Sequence, residues 1–577
     1  MKILLLILLL PAALFSQKKT SYTTPYEKGN GNQTATYQEA MAFYQQLDNG
    51  FETIQMQEMG TTDAGLPLHI VVFDKDKGFN FSEIRKKKAI LLINNGIHPG
   101  EPDGIDATMM LLRDLATGKL QAPENTVVVA IPVYNIGGML NRGSYSRANQ
   151  NGPESYGFRG NSRNYDLNRD FIKADTREAR SFAALFHKVQ PDVFIDNHVS
   201  NGADYQCIFT YIATQHQRLG GQLGDFFKAE MMPAILTAMK AKGIEATPYV
   251  NIHGDTPESG FQQFMDYGRY STGYASLFNV PGSMPETHML KEYSKRVGVT
   301  YEYMVQTLDY LDDNYQKIKD LRANNLAEYM PGARYTLQWE VDSTKVTLLP
   351  FLGYEADYKV SSVTGQQRLY YDRTRPFNKV VKYFQEYVPK QQVVIPEAYI
   401  IPQEWWQVAE LLKINNIQLQ VLDKDTTFEV ESYRITNYKT SSYPYEGHYP
   451  HNDTQVAATT QKVLFQKGDY VVSTAQPGVK YLLETLEPQG VDSFFNWNFF
   501  DAILQQKEYY SAYVFEDTAA QLLKENRQLR AEFDDKKLND KAFAWDTAAQ
   551  LDWIYTHSPY YEKSHMQYPV YRRMAKQ

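Results

Sequence analysis

One stretch of the chain decides the fold: residues 89–116, which run AILLINNGIHPGEPDGIDATMMLLRDLA. The apolar run at residues 89–93 predicts a strand that is buried on both faces. The breaker cluster at residues 94–96 ends this strand, and an amphipathic helix is predicted from Asp103 to about Gly118. His98 and Glu101 therefore lie on the loop leaving the carboxyl end of the strand, where open α/β sheets place their ligand sites.

Strands and helices alternate through the first half of the chain. Further strands are predicted at residues 66–73, 126–132, 192–195 and 206–212. Helices are predicted at residues 37–47, 175–189, 222–242 and 290–311. This alternation predicts an α/β fold with a mostly parallel or mixed sheet flanked by helices. Residues 142–164 are rich in Gly, Asn, Ser and Arg, which predicts a long loop of the kind that often carries function.

The residue composition and the hydrophobic pattern of the sequence change after residue 328. Short runs rich in Val, Tyr and Thr, separated by turn residues, fill positions 335–387 and predict β-structure. A strand–helix–strand pattern follows at residues 393–401, 404–413 and 417–422, with more strands at 428–437 and 469–474. A chain of 577 residues is too long for a single core. We therefore expect an α/β domain at residues 17–328 and a β-rich or mixed accessory region at 329–577.

The N-terminus has the pattern of a secretory signal. A lysine at position 2 precedes an apolar run at residues 3–10 and a small-residue segment ending at Ser16. The apolar run is too short to span a bilayer, although a membrane anchor is the alternative interpretation. Cys207 is the one cysteine, so no intrachain disulfide is expected. Residues 1–16 are thus predicted to be a signal peptide of a bacterial periplasmic or extracellular protein.

Composition excludes several classes of partner. The formal net charge is −8, with no long run of one sign. This argues against nucleic acid or an anionic membrane surface as the partner. No stretch after the leader is long and apolar enough for a membrane span, so none is expected in the mature chain.

Three side chains in the first half have the chemistry of a metal site. A hydrolytic zinc takes three protein ligands with nitrogen or oxygen donors and keeps one position open for water. His98, Glu101 and His198 can supply these donors, because each follows a predicted buried strand and can point into one crevice. The sequence therefore predicts one zinc ion per chain. Asp196 precedes the third ligand by two residues and is expected to cap or turn the chain rather than to coordinate the metal.

Four segments at about residues 37–311 resemble the zinc carboxypeptidases related to carboxypeptidase A. The segments are His98-Pro99-Gly100-Glu101, Tyr165-Asp166-Leu167-Asn168-Arg169-Asp170-Phe171, Asp196-Asn197-His198 and Pro285-Glu286-Thr287. They occur in the family's order and spacing. The resemblance implies a carboxypeptidase-like fold for the domain at residues 17–328, which would be catalytic and would hydrolyse C-terminal residues from peptides with a free carboxylate.

The resemblance also implies a role for each residue of these segments. His98, Glu101 and His198 would ligate zinc, and Asp166 would accept a hydrogen bond from a ligand histidine. Asn168 and Arg169 would hold the substrate carboxylate, which suits the planar fork of arginine. Glu286 would be the general base acting on a zinc-bound water.

Two roles have rival candidates. Arg147 is the choice for the arginine that polarises the scissile carbonyl, with Arg142 and Arg159 as rivals. Tyr270 is the choice for the mobile tyrosine that closes on the substrate, with Tyr267 and Tyr274 as rivals.

Two other functions remain open at this stage. One is a zinc amidase or endopeptidase that acts on cell-wall peptides or acylated amino acids. The other is a non-catalytic peptide- or glycan-binding protein on the same fold. The resemblance implies that residues between the mobile tyrosine and the catalytic glutamate line the side-chain pocket. Residues 271–285 contain no charged side chain, so a preference for neutral, apolar or aromatic C-terminal residues over Lys or Arg is expected. Three acidic residues lie just upstream: Asp255, Glu258 and Asp266. An acid from this group that lines the pocket would overturn this expectation.

Overall fold

The computed structural model describes residues 22–252 and 254–575. The predicted signal peptide at residues 1–16 lies outside the described residues. Within them, a nine-stranded mixed sheet forms the centre of the first half, in the order β1-β2-β4-β3-β5-β10-β7-β8, with β6 paired to β10. The strands up to β10 are β1 Ile54–Thr61, β2 Pro67–Phe73, β3 Ala89–Asn94, β4 Thr126–Ile131, β5 Val193–Asp196, β6 His198–Ser200, β7 Phe209–Ala213, β8 Ala246–Pro248, β9 Phe261–Gln262 and β10 Gly282–His288.

Helices cover both faces of this sheet, as the α/β prediction requires. They are α1 Pro25–Lys28, α2 Tyr37–Gly50, α3 Phe81–Lys87, α4 Asp103–Ala116, α5 Ile136–Leu140, α6 Arg177–Val189, α7 His216–Leu219, α8 Gly221–Phe226, α9 Met232–Ala241, α10 Ser271–Leu277 and α11 Tyr293–Asn325. Strand β3 pairs in parallel with both β4 and β5, and β10 pairs in parallel with β5 and β6. The edge strands β1 and β2 run antiparallel, so the sheet is mixed.

Strand β3 is the centre of the fold because all six of its residues are buried. Residues on its two faces belong to two hydrophobic clusters: Ile90 and Leu92 to one, Leu91 and Ile93 to the other. Gly96 turns the chain at the end of β3 with φ 65°, a conformation that favours glycine, and α4 begins at Asp103. The strand–loop–helix arrangement predicted for residues 89–116 is confirmed.

The other predicted elements agree with the structure in part. Helix α6 begins after Thr176, whose side chain accepts a hydrogen bond from the Ala179 N–H and caps the helix. The residues at 142–164 contain no helix or named strand, as predicted. Helix α11 runs to Asn325, well past the predicted end at residue 311. The polar extension is held by tertiary contacts, such as the Lys317–Glu230 ion pair and the buried Ile318.

Residues 329–575 form three sheets and a set of helices. A two-stranded sheet pairs β11 with β14, a three-stranded sheet has the order β12-β13-β9, and a six-stranded sheet has the order β16-β19-β15-β20-β17-β18. The strands are β11 Arg334–Val341, β12 Thr347–Val360, β13 Gln367–Phe384, β14 Tyr387–Val394, β15 Ala398–Ile401, β16 Gln420–Val421, β17 Thr426–Thr440, β18 His451–Phe465, β19 Tyr470–Ser473 and β20 Tyr571–Arg573. The helices are α12 Trp406–Ile414, α13 Val479–Leu486, α14 Ala512–Glu525, α15 Arg527–Asn539, α16 Lys541–Trp545 and α17 Thr547–Thr556.

The C-terminal region packs directly on the first half of the chain. One hydrophobic cluster contains Tyr274 and Leu277 from α10 together with Tyr335, Leu412 and Tyr481 from the C-terminal elements. Strand β9, from the first half, pairs in parallel with β13. The site described below therefore lies in a chain whose two parts share a core.

The structure also bears on the single cysteine and on the expectation of no membrane span. Cys207 is buried and forms no disulfide. Among the helices of residues 22–252 and 254–575, none combines the length and apolar character needed to cross a bilayer.

Candidate active site

The three predicted metal ligands meet at the carboxyl ends of the central strands. His98 and Glu101 come from the tight turn after β3, in which the Glu101 N–H donates to the His98 carbonyl at 2.8 Å. His198 is the first residue of β6. One ligand atom from each of the three side chains lies within 4.8 Å of the others, and all three residues are buried. Within the described part of the chain, this is the one group of its kind.

The donor set of this triad fits a zinc ion. Two imidazoles and one carboxylate are the ligand types of hydrolytic zinc sites. The Nδ1 atoms of His98 and His198 lie 3.4 and 3.2 Å from Glu101 Oε2. The opposite nitrogens contact carboxylates, His98 Nε2 with Asp166 Oδ1 and His198 Nε2 with Asp196 Oδ2, both at 2.9 Å. Such carboxylate–histidine pairs orient the ring so that its other nitrogen can bind metal.

Asp196 makes more contacts than the capping or turn role predicted from the sequence would require. It does not serve only in a turn, because its Oδ2 contacts His198 and accepts a hydrogen bond from the Ser271 hydroxyl at 2.5 Å. Its Oδ1 accepts from the Asn94 side chain at 2.9 Å. The position two residues before a ligand histidine, at the end of a buried strand, is the signal that this residue faces the site.

The electrostatics of the triad favour a bound cation. Burial by itself would raise the pKa of Glu101, but the charges of Arg147 and His98 outweigh it and hold that pKa well below its usual range. Burial would lower the pKa of His198, but Asp196 and Glu101 outweigh it and raise that pKa well above 6.5. The carboxylates around His198 thus favour a positive charge at this position, which a bound metal cation would supply.

Two of the three candidate arginines lie at the pocket. The Arg147 Nη1 donates to Glu101 Oε1 at 2.7 Å, and Gly100 leaves room for it, since a Cβ there would lie 2.8 Å from Arg147 Cδ. Arg159 contacts Asp166 Oδ2 through Nε at 2.9 Å and Nη2 at 2.8 Å. Arg142 instead donates to the Thr34 and Ala35 carbonyls, outside the pocket lining.

The predicted carboxylate-binding pair lies beside Tyr270. The Asn168 Oδ1 accepts from the Ser271 N–H at 3.0 Å, which leaves the Nδ2 end of the amide as its donor. The Arg169 guanidinium lies 4.6 Å from the centroid of the Tyr270 ring. Among the rival tyrosines, Tyr267 accepts a hydrogen bond from the Trp339 N–H, and Tyr274 is buried and donates to Asn415. Tyr270 is thus the one of the three that lines the pocket.

Glu286 lies on β10 next to the third ligand. It is the Cα partner of His198 in the parallel β6–β10 pairing, and only 9% of its surface is exposed. Burial, reinforced by the charge of Glu101, raises the pKa of Glu286 to about 7, against the influence of nearby His198 and the arginines. A carboxylate with such a pKa can exchange a proton with water near neutral pH.

A cavity of about 380 Å³ brings these groups together. Its lining includes the triad, Arg147, Arg159, Asn168, Arg169, Tyr270 and Glu286. Apolar side chains complete the wall, among them Ile212, Phe264, Met284 and Met289. Tyr249 also lines this cavity but is missed by the sequence analysis, because it follows the short strand β8 in a stretch without a motif.

Comparison with known proteins identifies the family. Residues 40–256 match the family model of the zinc carboxypeptidases. The chain therefore contains a zinc carboxypeptidase domain. It is a zinc-dependent metallocarboxypeptidase, so the non-catalytic alternative is not supported. The matched residues include the triad, Asp166, Asn168 and Arg169, whereas Tyr270 and Glu286 lie beyond them.

Similarity to fungal relatives covers most of this carboxypeptidase. Carboxypeptidase 2 of Trichophyton tonsurans is 20% identical over 476 residues, which cover 76% of this chain and 81% of the relative. Carboxypeptidase 2 of Trichophyton rubrum is 19% identical, with coverage of 76% and 81%. The covered share exceeds residues 1–328, so the similarity extends into the C-terminal region.

Solved structures similar to this carboxypeptidase are also metallocarboxypeptidases by name. The metallo-carboxypeptidase from Burkholderia cenocepacia is 15% identical, with coverage of 48% of this chain and 70% of that chain and a TM-score of 0.37. The carboxypeptidase A from Helicoverpa armigera is 12% identical, with coverage of 49% and 74% and a TM-score of 0.35. Zinc is the metal of this family, and the imidazole and carboxylate donors of the triad suit it.

Proposed function

We propose that this carboxypeptidase is exported and removes C-terminal residues from peptides, with Glu286 as its general base. The observation that carries the proposal is the content of one cavity: the metal triad, Glu286 and the Asn168–Arg169 pair. Export is supported by the leader sequence at residues 1–16, and a periplasmic or extracellular location is consistent with the single, unpaired Cys207. In this proposal, residues 17–328 are the catalytic domain and residues 329–577 are an accessory region.

Each polar group of the cavity has a place in peptide hydrolysis. Zinc held by His98, Glu101 and His198 supplies a Lewis acid that polarises a carbonyl and makes water easier to deprotonate. Glu286 takes a proton from the attacking water as the water oxygen bonds to the scissile carbonyl carbon. The same carboxyl group then delivers that proton to the amine nitrogen as the carbon–nitrogen bond breaks.

Arg147 is the proposed donor to the carbonyl oxygen on which negative charge develops. Its Nη2 makes only a long contact of 3.4 Å with the Val199 carbonyl, whereas Arg159 is held on Asp166 by two short contacts. The rest of the guanidinium is held by Gln150 Oε1, 2.6 Å from Nε, and by Glu101 Oε1, 2.7 Å from Nη1, so Nη2 is the group that is available to a substrate. One such donor contributes about 3–4 kcal/mol in protease precedents.

The carboxylate-binding pair predicts the site of cleavage. Arg169→Ala should lower kcat/KM for peptides with a free C-terminus by about 100-fold, because it removes a charged hydrogen-bond partner worth about 2.7 kcal/mol. The variant should keep its zinc and should hydrolyse C-terminally amidated peptides as slowly as the wild type does. Paired peptides that differ only in the terminal amide, digested and separated by chromatography, provide the measurement.

Arg163→Ala is the matched control for this prediction. Arg163 lies on the same segment, but it pairs with Asp63 and stacks on the Tyr165 ring rather than lining the cavity. Its replacement should leave the preference for free acids unchanged. If the wild type cleaves amidated peptides as fast as free acids, the pair does not bind the carboxylate, and the amidase or endopeptidase alternative moves ahead.

The cavity wall predicts which terminal residue is preferred. The acidic residues that line it are Glu101 and Glu286, and both already have roles. The three upstream acids have other partners: Asp255 accepts from the Tyr358 hydroxyl, Glu258 pairs with Lys379, and Asp266 is buried against the Gln215 N–H and Thr272. A terminal Lys or Arg would therefore find no partner for its charge.

We expect peptides ending in Phe or Leu to be cleaved preferentially. An equimolar mixture of peptides that share one body and end in Phe, Leu, Lys or Glu should lose the first two at least tenfold faster, equivalent to about 1.4 kcal/mol. Mass spectrometry of the mixture over time gives the ratio directly. Faster removal of Lys by the same factor would show that an acid from outside the described lining reaches the terminal side chain.

A further inference from the structure

The connection between β17 and β18 carries a two-residue turn that reaches the active-site segment. The Tyr445 N–H donates to the His448 carbonyl at 2.7 Å, and the His448 N–H donates back to Tyr445 at 3.1 Å. Both central residues are left-handed, Glu446 with φ 49° and Gly447 with φ 81°. This is the backbone of a type I′ hairpin turn, which favours Asn-Gly and is costly for a glutamate.

The turn contacts the segment that carries Asp166. One oxygen of Glu446, Oε2, accepts a hydrogen bond from the Asp166 N–H at 2.8 Å. Gly447 lies against Tyr165, since a Cβ at this position would be 2.5 Å from the tyrosine hydroxyl. The His448 Nε2 lies 2.8 Å from Asp175 Oδ2, further along the same segment.

These contacts form a short chain of hydrogen bonds to a metal ligand. Glu446 holds the backbone of Asp166, and the Asp166 carboxylate contacts His98 Nε2 at 2.9 Å. Asp166 also receives both contacts from Arg159. A shift of the Asp166 backbone would therefore disturb the orientation of the His98 ring, on which metal affinity depends.

We propose that Glu446 is a positioning residue that holds Asp166, and through it His98, in the geometry of the site. The inference rests on the proposed function in that His98 is taken as a zinc ligand. A glutamate in a strained turn position, where Asn would be favoured, is explained by the one hydrogen bond that its long side chain makes. The C-terminal region thus completes the catalytic site.

Contacts with a second segment of the cavity wall agree with this assignment. The Arg269 Nε donates to Asp492 Oδ1 at 2.6 Å, and its guanidinium lies 5.0 Å from the Trp497 ring centroid. Arg269 directly precedes Tyr270, the tyrosine that lines the cavity. The C-terminal region therefore contacts both chain segments that flank the proposed carboxylate site.

The decisive experiment replaces Glu446 with a residue that suits the turn but cannot reach Asp166. Glu446→Asn creates the favoured Asn-Gly turn, so the full-length variant, stripped of metal, should melt at the same temperature as the metal-free wild type or higher. Its zinc dissociation constant, measured by competition with a chelator, should rise about tenfold, the lower end of the range for outer-shell partners. Hydrogen exchange of the peptide containing the Asp166 amide, followed by mass spectrometry, should become faster. Glu446→Gln keeps an acceptor oxygen, so its zinc affinity and its hydrogen exchange at Asp166 should match those of the wild type.

Asp453→Asn is the matched control, because Asp453 is also acidic and left-handed in the same hairpin but pairs with Lys439. It should change neither zinc affinity nor exchange at Asp166. Unchanged zinc affinity and exchange in Glu446→Asn would overturn the proposal, as would a fall in both melting temperature and zinc affinity, which indicates a merely structural role. A wild type without zinc would refute the proposed function instead, while the exchange measurement would still decide whether Glu446 holds Asp166.

Discussion

Replacing Glu286 with Gln should lower kcat/KM for peptide substrates by about a thousandfold, within the 10²–10⁴ range of general acid–base catalysis. The substitution keeps the shape of the buried side chain but removes the group that takes and returns the proton. Because the amide cannot act as a base at neutral pH, the loss should appear in kcat. Zinc content and melting temperature should stay at the wild-type values, as elemental analysis and thermal unfolding would show.

The pH profile gives this prediction a second measurement. A general base acts in its deprotonated form, so kcat/KM of the wild type should fall as the pH drops through the pKa of Glu286. Burial raises that pKa to about 7 in the metal-free protein, and a bound cation nearby shifts it downward. The acid limb of the profile should therefore lie at or below about pH 7 and be absent from Glu286→Gln.

Glu178→Gln is a close control, because burial also raises the pKa of Glu178 to about 7. Glu178 lies at the start of α6 and accepts a hydrogen bond from the Asp63 N–H, away from the cavity lining. Its replacement should leave kcat/KM and the acid limb unchanged. A Glu286→Gln variant with wild-type activity would mean that another group takes the proton from water.

The central part of the fold follows from local sequence signals. Strand β3 and helix α4 have strong hydrophobic patterns, and the structure places them within one or two residues of the predicted bounds. Helix α11 is harder to predict beyond residue 311, because its last turns are polar and are held by partners that are distant in sequence, such as Glu230. Contacts of this kind leave no periodic pattern in the sequence.

The C-terminal region was predictable only in part. Its long β-strands have many Val, Tyr and Thr residues, and the β-rich prediction describes them. The helices α14 to α17 were not predicted, because they are mostly exposed and bury only a few side chains, including Phe515, Phe533 and Phe543. Such helices have a weak apolar stripe, so hydrophobic periodicity does not identify them.

The residues of the candidate site are likewise predictable from the sequence only in part. Residues in compact motifs at strand ends, such as His98, Glu101 and His198, can be proposed from sequence because strand topology brings them together. The choice among the arginines and tyrosines needed the structure, which places Arg142 and Tyr274 elsewhere. Glu446 is 280 residues from Asp166 in the chain, and no local pattern connects them.

His198→Ala should abolish stable zinc binding and, with it, peptide hydrolysis. Losing one of three ligands should weaken zinc affinity by more than about 100-fold, since changes to outer-shell partners alone cost 10–100-fold. His98→Ala should behave in the same way. His451→Ala is the control, because His451 is also buried and contacts a carboxylate, Asp501, but lies outside the triad.

Zinc binding by the wild type should also release protons. Asp196 and Glu101 outweigh the effect of burial and raise the pKa of His198 well above 6.5, which favours the protonated imidazole when no metal is bound. It must lose that proton before its nitrogen can bind a metal. Affinity should therefore weaken as the pH falls. Calorimetric titrations in buffers with different ionisation enthalpies should show a net release of protons when zinc binds to the wild type. A wild type that stays free of zinc after reconstitution would show that the triad is not a metal site. The buried triad and its carboxylate partners would then serve folding alone.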